Sequence, residues 1–398
     1  MRKRIILGLL FAYALFFASS VPFHSMSLLQ TSTPEARGMH GMAYDPYNDV
    51  AVIFGGTTME GGIHSLGDTW TYSYGMNTWT ELILTPSPPS RANHAMVYCN
   101  ATEEIILFSG HGLSDTWSFD VRTQTWSEVV CAVNPGIHHS HGMAYDPQEN
   151  AVILFGGFGA DGMETDDNWR FDCETREWTE LFPETVPLAR YGHVMAYDES
   201  IEKIVLSCGN TAYQGHQDDT WTYDASANTW IEIETTGTPG ALKWPSMAYD
   251  SQNQKCILFG GQVGDTAVDD TRIYDAQSTI WSSPSPLQSP SARICTGLAF
   301  DSDNNVSILF GGWLVDGGQL GDTWAYTYGT NTWVNMEDVT TTTSSITTTT
   351  TTSSTTTTTT STTTTTTEPP YYIALVVIGG AGLVGAAMIM VIVVVRKQ

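Results

Sequence analysis

A basic residue recurs six times along the sequence, about every 50 residues, and a histidine or hydroxyl residue stands three positions after it. The basic positions are Arg37, Arg91, His138, Arg190, Lys243 and Arg293. The positions three residues later are His40, His94, His141, His193, Ser246 and Thr296. Guanidinium groups bind carboxylate or sulfate through two parallel hydrogen bonds, and imidazole transfers protons near neutral pH. The pattern therefore offers an anion-binding ring or an acid–base site.

These residues belong to a unit that repeats six times. The unit begins with a strand that ends in "MAYD" at 42–45, and 13 residues after Met42 comes a pair of small residues, Gly55 and Gly56. An Asp-x-Trp step follows at Trp70, and a second tryptophan, Trp79, stands nine residues later. The step recurs at Trp117, Trp169, Trp221 and Trp324, with Arg272 in the fifth unit. Such fixed offsets predict four strands per unit, at about 39–45, 50–55, 68–74 and 78–84 in the first.

The small pair, the spaced tryptophans and the period resemble the kelch repeat over residues 37–337. Four-stranded units of this kind cannot bury both faces alone, so they stack radially and close a ring. The resemblance implies an all-β, six-bladed β-propeller of four-stranded kelch blades over residues 25–338, similar to the central domain of galactose oxidase. Either residues 25–30 or residues 332–337 supply the outer strand of the last blade.

A structural alternative exists for the repeated basic position. Each arginine then pairs with an aspartate of the adjoining blade and each histidine satisfies a turn, and this is favoured because structural roles recur in every blade. We retain Arg37, Arg91, Arg190 and Arg293 as ligand-binding candidates at the channel mouth. Equivalent histidines of opposite blades lie too far apart to share a metal ion, and the tyrosine–cysteine cross-link of kelch-like copper oxidases has no counterpart. We predict no metal, no cofactor and no catalytic residue.

Loop lengths indicate which face of the ring binds a partner. The second-to-third loops span 13, 6, 11, 11, 10 and 11 residues from the small pair to the Asp-x-Trp step, whereas the other turns keep near-constant lengths. Loops on a rigid scaffold carry binding, although neutral drift in loop length gives the same variation. The candidate ligand-binding residues on this variable-loop face are His64, His111, Phe158, Tyr213, His216 and Trp313.

The cysteines and the glycosylation sequons constrain the structure less than the repeats do. The six cysteines, at positions 99, 131, 173, 208, 256 and 295, permit 15 sets of three disulfides, and their spacing does not choose among them. Cys208 and Cys256 occupy strand positions typical of packed apolar residues. Asn100 and Asn305 begin sequons in first-to-second turns, which places these glycosylation candidates on the face opposite the variable loops.

The charge balance excludes one class of partner. Five of the 16 lysines and arginines lie at residues 2–4 and 396–397, which leaves 11 against 42 acidic residues over residues 35–368. Such a strongly negative domain repels phosphate backbones, so we predict no nucleic-acid partner.

Both ends of the chain predict export and anchoring. Basic residues 2–4, the apolar run 5–18 and the small residues after it predict a signal peptide over residues 1–20, or alternatively an uncleaved anchor. Residues 371–395 carry no charge and precede Arg396 and Lys397, which predicts one transmembrane helix and a cytoplasmic tail at 396–398. A sorting enzyme removes similar tails in some prokaryotic surface proteins.

A stalk is predicted between the ring and the apolar segment, at residues 339–370. Residues 340–367 comprise 22 threonines, five serines and one isoleucine. This composition cannot bury enough apolar surface to offset the entropy of ordering the chain. The stalk is either O-glycosylated or a bare flexible linker.

Together these features predict a single-pass cell-membrane protein with an extracellular propeller that recognises a surface glycan or protein through the variable-loop face. The alternative is an exported carbohydrate-active enzyme, because bacterial sialic-acid mutarotases resemble this chain as six-bladed kelch propellers, with a site at the channel mouth. A scaffolding protein with contacts along the blade rims is a third possibility. The oligomeric state stays open.

Overall fold

The computed structural model describes residues 33–339, 371–379 and 388–396. Over residues 33–339 the chain forms six four-stranded antiparallel sheets, and each sheet is built from one sequence repeat. The predicted all-β, six-bladed propeller with four-stranded blades is therefore confirmed.

The blade strands are as follows, from the channel outwards. Blade 1 contains Gly41–Asp45, Val50–Phe54, Thr69–Ser73 and Thr78–Leu82. Blade 2 contains Ala95–Cys99, Glu104–Phe108, Thr116–Asp120 and Thr125–Val129. Blade 3 contains Gly142–Asp146, Ala151–Phe155, Asn168–Asp172 and Glu177–Leu181. Blade 4 contains Tyr191–Asp198, Lys203–Thr211, Thr220–Asp224 and Thr229–Glu232. Blade 5 contains Ser246–Asp250, Lys255–Phe259, Thr271–Asp275 and Ile280–Ser282. Blade 6 contains Gly297–Asp301, Val306–Trp313, Gln319–Thr327 and Thr332–Asn335.

Short elements decorate the second-to-third loops. Two-residue strands pair within the loops of blades 1 and 5, as Thr57–Thr58 with His64–Ser65 and as Gln262–Val263 with Thr266–Ala267. Gly215–His216 pairs with the end of the second strand of blade 4. A 3-10 turn, Tyr328–Thr330, joins the last two strands of blade 6.

The second strand of each blade is nearly continuous apolar sequence because neighbouring blades cover both of its faces. All five residues of Ala151–Phe155 are buried. The first-to-second turn is fixed by an aspartate at the end of the first strand, since Asp45 accepts hydrogen bonds from the backbone N–H groups of Tyr47 and Asn48 at 2.9 and 3.2 Å. Asp49 then adopts a left-handed backbone with φ of 55°, which aspartate and asparagine tolerate.

The apolar core lies between the blades, in six clusters. A hydrogen bond from the fourth-strand tryptophan of one blade to the third strand of the preceding blade crosses each interface. The pairs are Trp126 with Thr69, Trp178 with Thr116, Trp230 with Asn168, Trp281 with Thr220, Trp333 with Thr271, and Trp79 with Thr323. The second tryptophan of the repeat therefore ties each blade to its neighbour.

Within residues 33–339, blade 6 takes all four of its strands from its own repeat. Thr332–Asn335 pairs with the third strand of blade 6 and forms its outer strand; residues 25–30, the other candidate, lie outside the described residues. Besides the Trp79–Thr323 bond, blade 1 meets blade 6 through the backbone N–H of Arg37, which donates to the carbonyl of Leu320 at 3.1 Å.

The other described segments form a hairpin. Tyr371–Gly379 pairs antiparallel with Met388–Arg396, where the sequence predicted one transmembrane helix over 371–395. The structure thus differs from that prediction, and β-branched runs such as residues 391–395 favour extended backbone. No helix in the described ranges is both long and apolar enough to span a bilayer. The predicted signal peptide and the stalk beyond residue 339 lie outside the described residues.

Candidate functional site

The repeated arginines are buried and ion-paired. Arg37 donates a hydrogen bond of 2.7 Å to each carboxylate oxygen of Asp68 and one of 3.0 Å to the carbonyl of Gly55. Asp68 also accepts from the indole of Trp70 at 2.6 Å. Burial by itself would raise the pKa of Asp68, but the hydrogen bonds and positive charge of Arg37 hold that pKa below its usual value. The same ion pair recurs as Arg91–Asp115, Arg190–Asp219 and Arg293–Asp322.

The buried arginines are the residues that the sequence offered as ligand-binding candidates: Arg37, Arg91, Arg190 and Arg293. Their side chains are 0% exposed, so their guanidinium groups do not face a ligand. For the arginines the geometry accords with the structural alternative, with one correction: each aspartate belongs to the same repeat as its arginine, not to the adjoining blade. Of the four repeated histidines, only His94 bonds to the backbone within residues 33–339, by accepting from the N–H of Gly41 at 3.1 Å. The arginine anchors the entry segment of a blade to that blade's own Asp-x-Trp step.

In the third and fifth repeats, different residues take the place of the Arg–Asp ion pair. In the third, Nε2 of His138 lies 3.3 Å from a carboxylate oxygen of Asp167. In the fifth, Arg272 replaces the first tryptophan and donates to Asp270 at 2.8 Å. Lys243, at the usual arginine position, instead places its ammonium 4.6 Å from the ring centre of Trp244. In the fifth repeat Arg272 thus pairs with the aspartate, and the positive charge of Lys243 lies on the variable-loop face.

A closed ring of six backbone hydrogen bonds surrounds the channel mouth. Each N–H donates to the carbonyl of the equivalent residue one blade earlier, over 2.7–3.1 Å, and Met39 completes the circle by donating to Cys295. All six residues have left-handed backbones, with φ of 54–62°. They are Met39, Asn93, Ser140, Gly192, Trp244 and Cys295. The mouth is thus a rigid scaffold made of main chain.

Beside this ring, four histidines line a cavity of about 120 Å³: His40, His94, His141 and His193. Burial lowers the pKa of all four. The pKa of both His40 and His193, which also lie near arginines, falls to about 3. These imidazoles are therefore neutral at physiological pH. Within residues 33–339 the cavity lining holds no carboxylate, so the mouth does not bring together the acid–base pair that the mutarotase-like alternative needs.

The six loop candidates do not form one cluster. Tyr213 is 96% exposed and His64 lies exposed in its short loop strand. His216 is half-buried, and burial lowers its pKa. The indole of Trp313 covers Gly38, where a Cβ atom would lie 2.2 Å from Cδ1. Only His111 and Phe158 join a common arrangement.

That arrangement is a row of neighbouring rings, some stacked and some tilted, which we call the aromatic arc. Its ring centres are 4.8 Å apart from His111 to His139, 5.0 Å from His139 to Phe158, 4.3 Å from Phe158 to Tyr191 and 5.9 Å from Tyr191 to Trp244. The arc runs from blade 2 to blade 5 on the variable-loop face. The ammonium of Lys243 over Trp244 ends it.

Exposed apolar side chains concentrate on the same face. In residues 33–339, 12 large exposed apolar residues lie in second-to-third loops or in the connections between blades, against two in the turns of the opposite face. The loop residues are Met59, Ile63, Met163, Tyr213, Val263 and Val315. The connection residues are Ile83, Val130, Val133, Phe182, Leu188 and Leu287. The opposite face exposes Tyr47 and Met76. Such asymmetry is typical of a docking surface.

The electrostatics of the face are equally one-sided. The six second-to-third loops contain no lysine or arginine, and five of them carry at least one carboxylate besides the aspartate of the Asp-x-Trp step or its equivalent. Exposed examples at the loop tips are Glu60, Asp161, Asp265 and Asp316. The face therefore combines negative charge with apolar tips. The sequon residues Asn100 and Asn305 are exposed in the turns of the opposite face.

Sequence reasoning missed His139, Tyr191 and Trp244. These residues lie one step after the repeated basic position, in the entry segments Arg190-Tyr191 and Lys243-Trp244 for example. An aromatic residue directly after the basic residue was the available signal. These aromatic residues lie in the entry segments, outside the second-to-third loops from which the candidates were chosen.

Comparisons with known proteins agree with the fold. The family model described as "KLHDC2/KLHL20/DRC7 Kelch-repeats domain" matches residues 19–185 and 144–364. The Kelch domain-containing protein 1 of Mus musculus is 27% identical over 128 residues, which are 31% of this chain and 31% of that protein. The similarity thus spans about a third of the relative's length.

Proposed function

Because this chain belongs to the kelch-repeat propeller family, whose propeller is a protein-interaction domain, we propose that it binds a partner protein through the variable-loop face. The observation that carries this proposal is the concentration of exposed apolar side chains on that face. Burying such side chains against a partner is the main source of favourable free energy in protein association.

The charge of the face defines the chemistry of the partner. Loops with carboxylates and neither lysine nor arginine attract a positively charged surface and repel a negative one. The partner segment is therefore rich in lysine or arginine, with apolar side chains that pack between the loop tips.

The aromatic arc supplies a second means of holding cations. Ring faces attract ammonium and guanidinium groups, and Lys243 over Trp244 shows that the arc accommodates one. Arginine and lysine side chains of the partner stack along the remaining rings, of which His111 is exposed and the others are half-buried.

Aliphatic loop tips favour a protein over a glycan. Met59, Ile63 and Val263 offer neither the flat ring nor the hydrogen-bonding group that usually orients a sugar. The mouth cavity, with neutral imidazoles and no carboxylate in its lining, offers no better glycan or enzyme site.

The proposed function includes display at a cell surface, on the strength of the sequence at both chain ends. The full chain is exported by residues 1–20, and residues 371–395 hold it at the membrane in whichever conformation they adopt there. Membrane fractionation with carbonate extraction and external protease treatment of intact cells test this. Recovery of the chain in the soluble fraction, or protection of the propeller from external protease, contradicts it.

A matched pair of double variants tests the binding face. Met163 and Tyr213 lie on the variable-loop face at 56% and 96% exposure, and Met76 and Tyr47 lie on the opposite face at 54% and 57%. M163S/Y213S and M76S/Y47S therefore make the same chemical change on opposite faces. Neither pair contributes to the buried core.

The probe is a random peptide-display library panned on the full chain in detergent, with a glycan array in parallel. We expect enriched peptides that combine basic and apolar residues, about tenfold weaker binding to M163S/Y213S, and unchanged binding to M76S/Y47S. Acidic peptides, or loss only in M76S/Y47S, contradict the proposal. Glycan binding that M163S/Y213S abolishes, without peptide enrichment, supports the glycan alternative instead.

A further inference from the structure

Two buried thiols meet between blades 2 and 3. The Sγ atoms of Cys99 and Cys173 lie 3.1 Å apart, and both residues belong to the apolar cluster that joins these blades. An S–S bond is about 2.05 Å long, so the sulfurs need to approach by only about 1 Å. In the described part of the chain no other pair of cysteine sulfurs makes such a contact.

Comparison among the six repeats shows that neither thiol is required by the fold. Cys99 occupies the end of a first strand, where the other five blades have aspartate: Asp45, Asp146, Asp198, Asp250 and Asp301. Cys173 directly follows a third strand, where the other blades have Tyr74, Val121, Ala225, Ala276 and Tyr328. Cys99 thus replaces an otherwise constant aspartate and lies opposite Cys173, which stands where the residue type varies among the blades.

The register of the blades explains why these two positions meet. In blades 1 and 2 the equivalent positions are Asp45 and Val121, and the turn that Asp45 caps contacts blade 2 directly. Asn48 donates from its side chain to the carbonyl of Val121 at 2.6 Å. The first-to-second turn of one blade therefore touches the third-to-fourth turn of the next. Cysteines at both positions face each other because of this repeated contact.

We propose that Cys99 and Cys173 form a disulfide bond that ties blade 2 to blade 3. The two thiols lose two protons and two electrons as the S–S bond forms. A small disulfide such as oxidised glutathione takes up the electrons through a mixed disulfide and leaves as two thiols. This inference concerns the folded propeller and does not rest on the proposed binding function.

Burial determines when the bond forms. Burial, with the neighbouring Cys173 thiol adding to it, raises the pKa of Cys99 well above its usual range, and only the thiolate attacks a disulfide. The folded reduced protein therefore reacts slowly with oxidised glutathione, whereas the refolding chain reacts readily. Cys131 is the nearest competitor, because it packs against the same cluster, although its thiol contacts the carbonyl of Arg176 at 3.3 Å.

Counting thiols tests the proposal directly. The full chain is unfolded, refolded in detergent with mixed oxidised and reduced glutathione, and alkylated under denaturing conditions without reductant. We expect four of the six cysteines to be alkylated, and a cross-linked peptide pair that contains Cys99 and Cys173. Six alkylated cysteines, or a bond from either residue to Cys131, overturn the proposal.

Thermal unfolding provides a second measurement with a matched control. The bond links residues 74 positions apart, so it restricts the unfolded chain and we expect reductant to lower the Tm by on the order of 5 °C. C173A abolishes this shift. C256A, which removes another fully buried cysteine, retains it. A shift that persists in C173A, or no shift in the natural chain, contradicts the proposal.

Discussion

The indole Nε1 of Trp79 donates a hydrogen bond of 3.0 Å to the hydroxyl oxygen of Thr323, a residue 244 positions later in the sequence. The equivalent bond from Trp126 to Thr69, between blades adjacent in sequence, has the same length. The closing interface thus repeats the interfaces within the ring. Equivalent tryptophan contacts thus hold all six interfaces, five to a threonine and one to Asn168.

Replacing Thr323 with valine tests the closing contact. Both groups are buried, so T323V leaves the indole N–H of Trp79 without an acceptor while keeping nearly the same side-chain volume. We expect the free energy of unfolding to fall by about 1–3 kcal/mol. Urea denaturation measures the change.

Thr80 provides the control, because it is an exposed neighbour of Trp79 in the same strand. We expect T80V to change stability by less than about 0.5 kcal/mol. Equal effects of T323V and T80V contradict a specific role for the Trp79–Thr323 bond.

The buried ion pairs predict a larger loss. Arg91 binds both carboxylate oxygens of Asp115 at 2.8 Å and the carbonyl of Ser109 at 2.9 Å. R91M removes these bonds and leaves a partly buried carboxylate without its cation, which costs about 3 kcal/mol. Urea denaturation at pH 7 measures this loss.

Arg122 provides the matched control for R91M. It pairs with Glu103 on the surface, where solvent screens the interaction. We expect R122M to leave the urea midpoint unchanged. Comparable destabilisation by both variants contradicts the structural role assigned to the buried pair.

The sequence predicted the architecture because its offsets are local. Thirteen residues from Met42 to Gly55, and nine from Trp70 to Trp79, define hairpins whose geometry depends on nearby residues alone. The same reasoning identified the Arg–Asp alternative, but it assigned the aspartate to the wrong blade. Sequence spacing does not show which of two adjacent Asp-x-Trp steps an arginine reaches.

The proposed binding face could be derived from the sequence only in part. Loop-length variation selected the side on which exposed apolar side chains concentrate, yet the aromatic arc joins rings from different loops and entry segments, such as His139 and Tyr191. Their stacking depends on the radial arrangement of blades, which no local pattern records. The prediction of a helix over residues 371–395 differs from the structure for another reason. Length and hydropathy predicted a helix, whereas its β-branched residues pair as strands in the structure.

Acid should destabilise the propeller through the mouth histidines. Burial lowers the pKa of His40 and His193 to about 3, against about 6.5 in an unfolded chain. Below pH 6.5 the unfolded state therefore binds more protons than the folded state, so stability falls as the pH decreases towards 3. Each such histidine contributes a loss of up to about 1.4 kcal/mol per pH unit in that range.

Two single variants distinguish the effect of a buried histidine on the pH dependence of stability from that of an exposed one. We expect H193Q to reduce the slope of unfolding free energy against pH between 6.5 and 5 by about one proton. H64Q changes an exposed imidazole and should leave that slope unaltered. Urea midpoints at pH 7.0, 6.0 and 5.0 give the slopes. A slope that H193Q leaves intact contradicts the assignment of neutral buried imidazoles.

Gly38 is expected to tolerate no side chain. A Cβ atom there would lie 2.2 Å from Cδ1 and 2.6 Å from Nε1 of Trp313, so G38A forces the indole away from the entry segment. We expect a loss of about 1–3 kcal/mol in the free energy of unfolding. Gly75, in a turn with open space around its Cα, is the control, and G75A should change stability by less than about 1 kcal/mol.

A double-variant cycle isolates the contact between Gly38 and Trp313. Truncating the indole removes the group with which the new methyl collides, so G38A should cost less in a W313A background than in the natural chain. The difference in unfolding free energy between the two backgrounds measures the steric coupling, and neighbouring residues that collide give couplings of about 0.5–3 kcal/mol. If G38A destabilises both backgrounds equally, its effect arises from the backbone and not from displacement of Trp313.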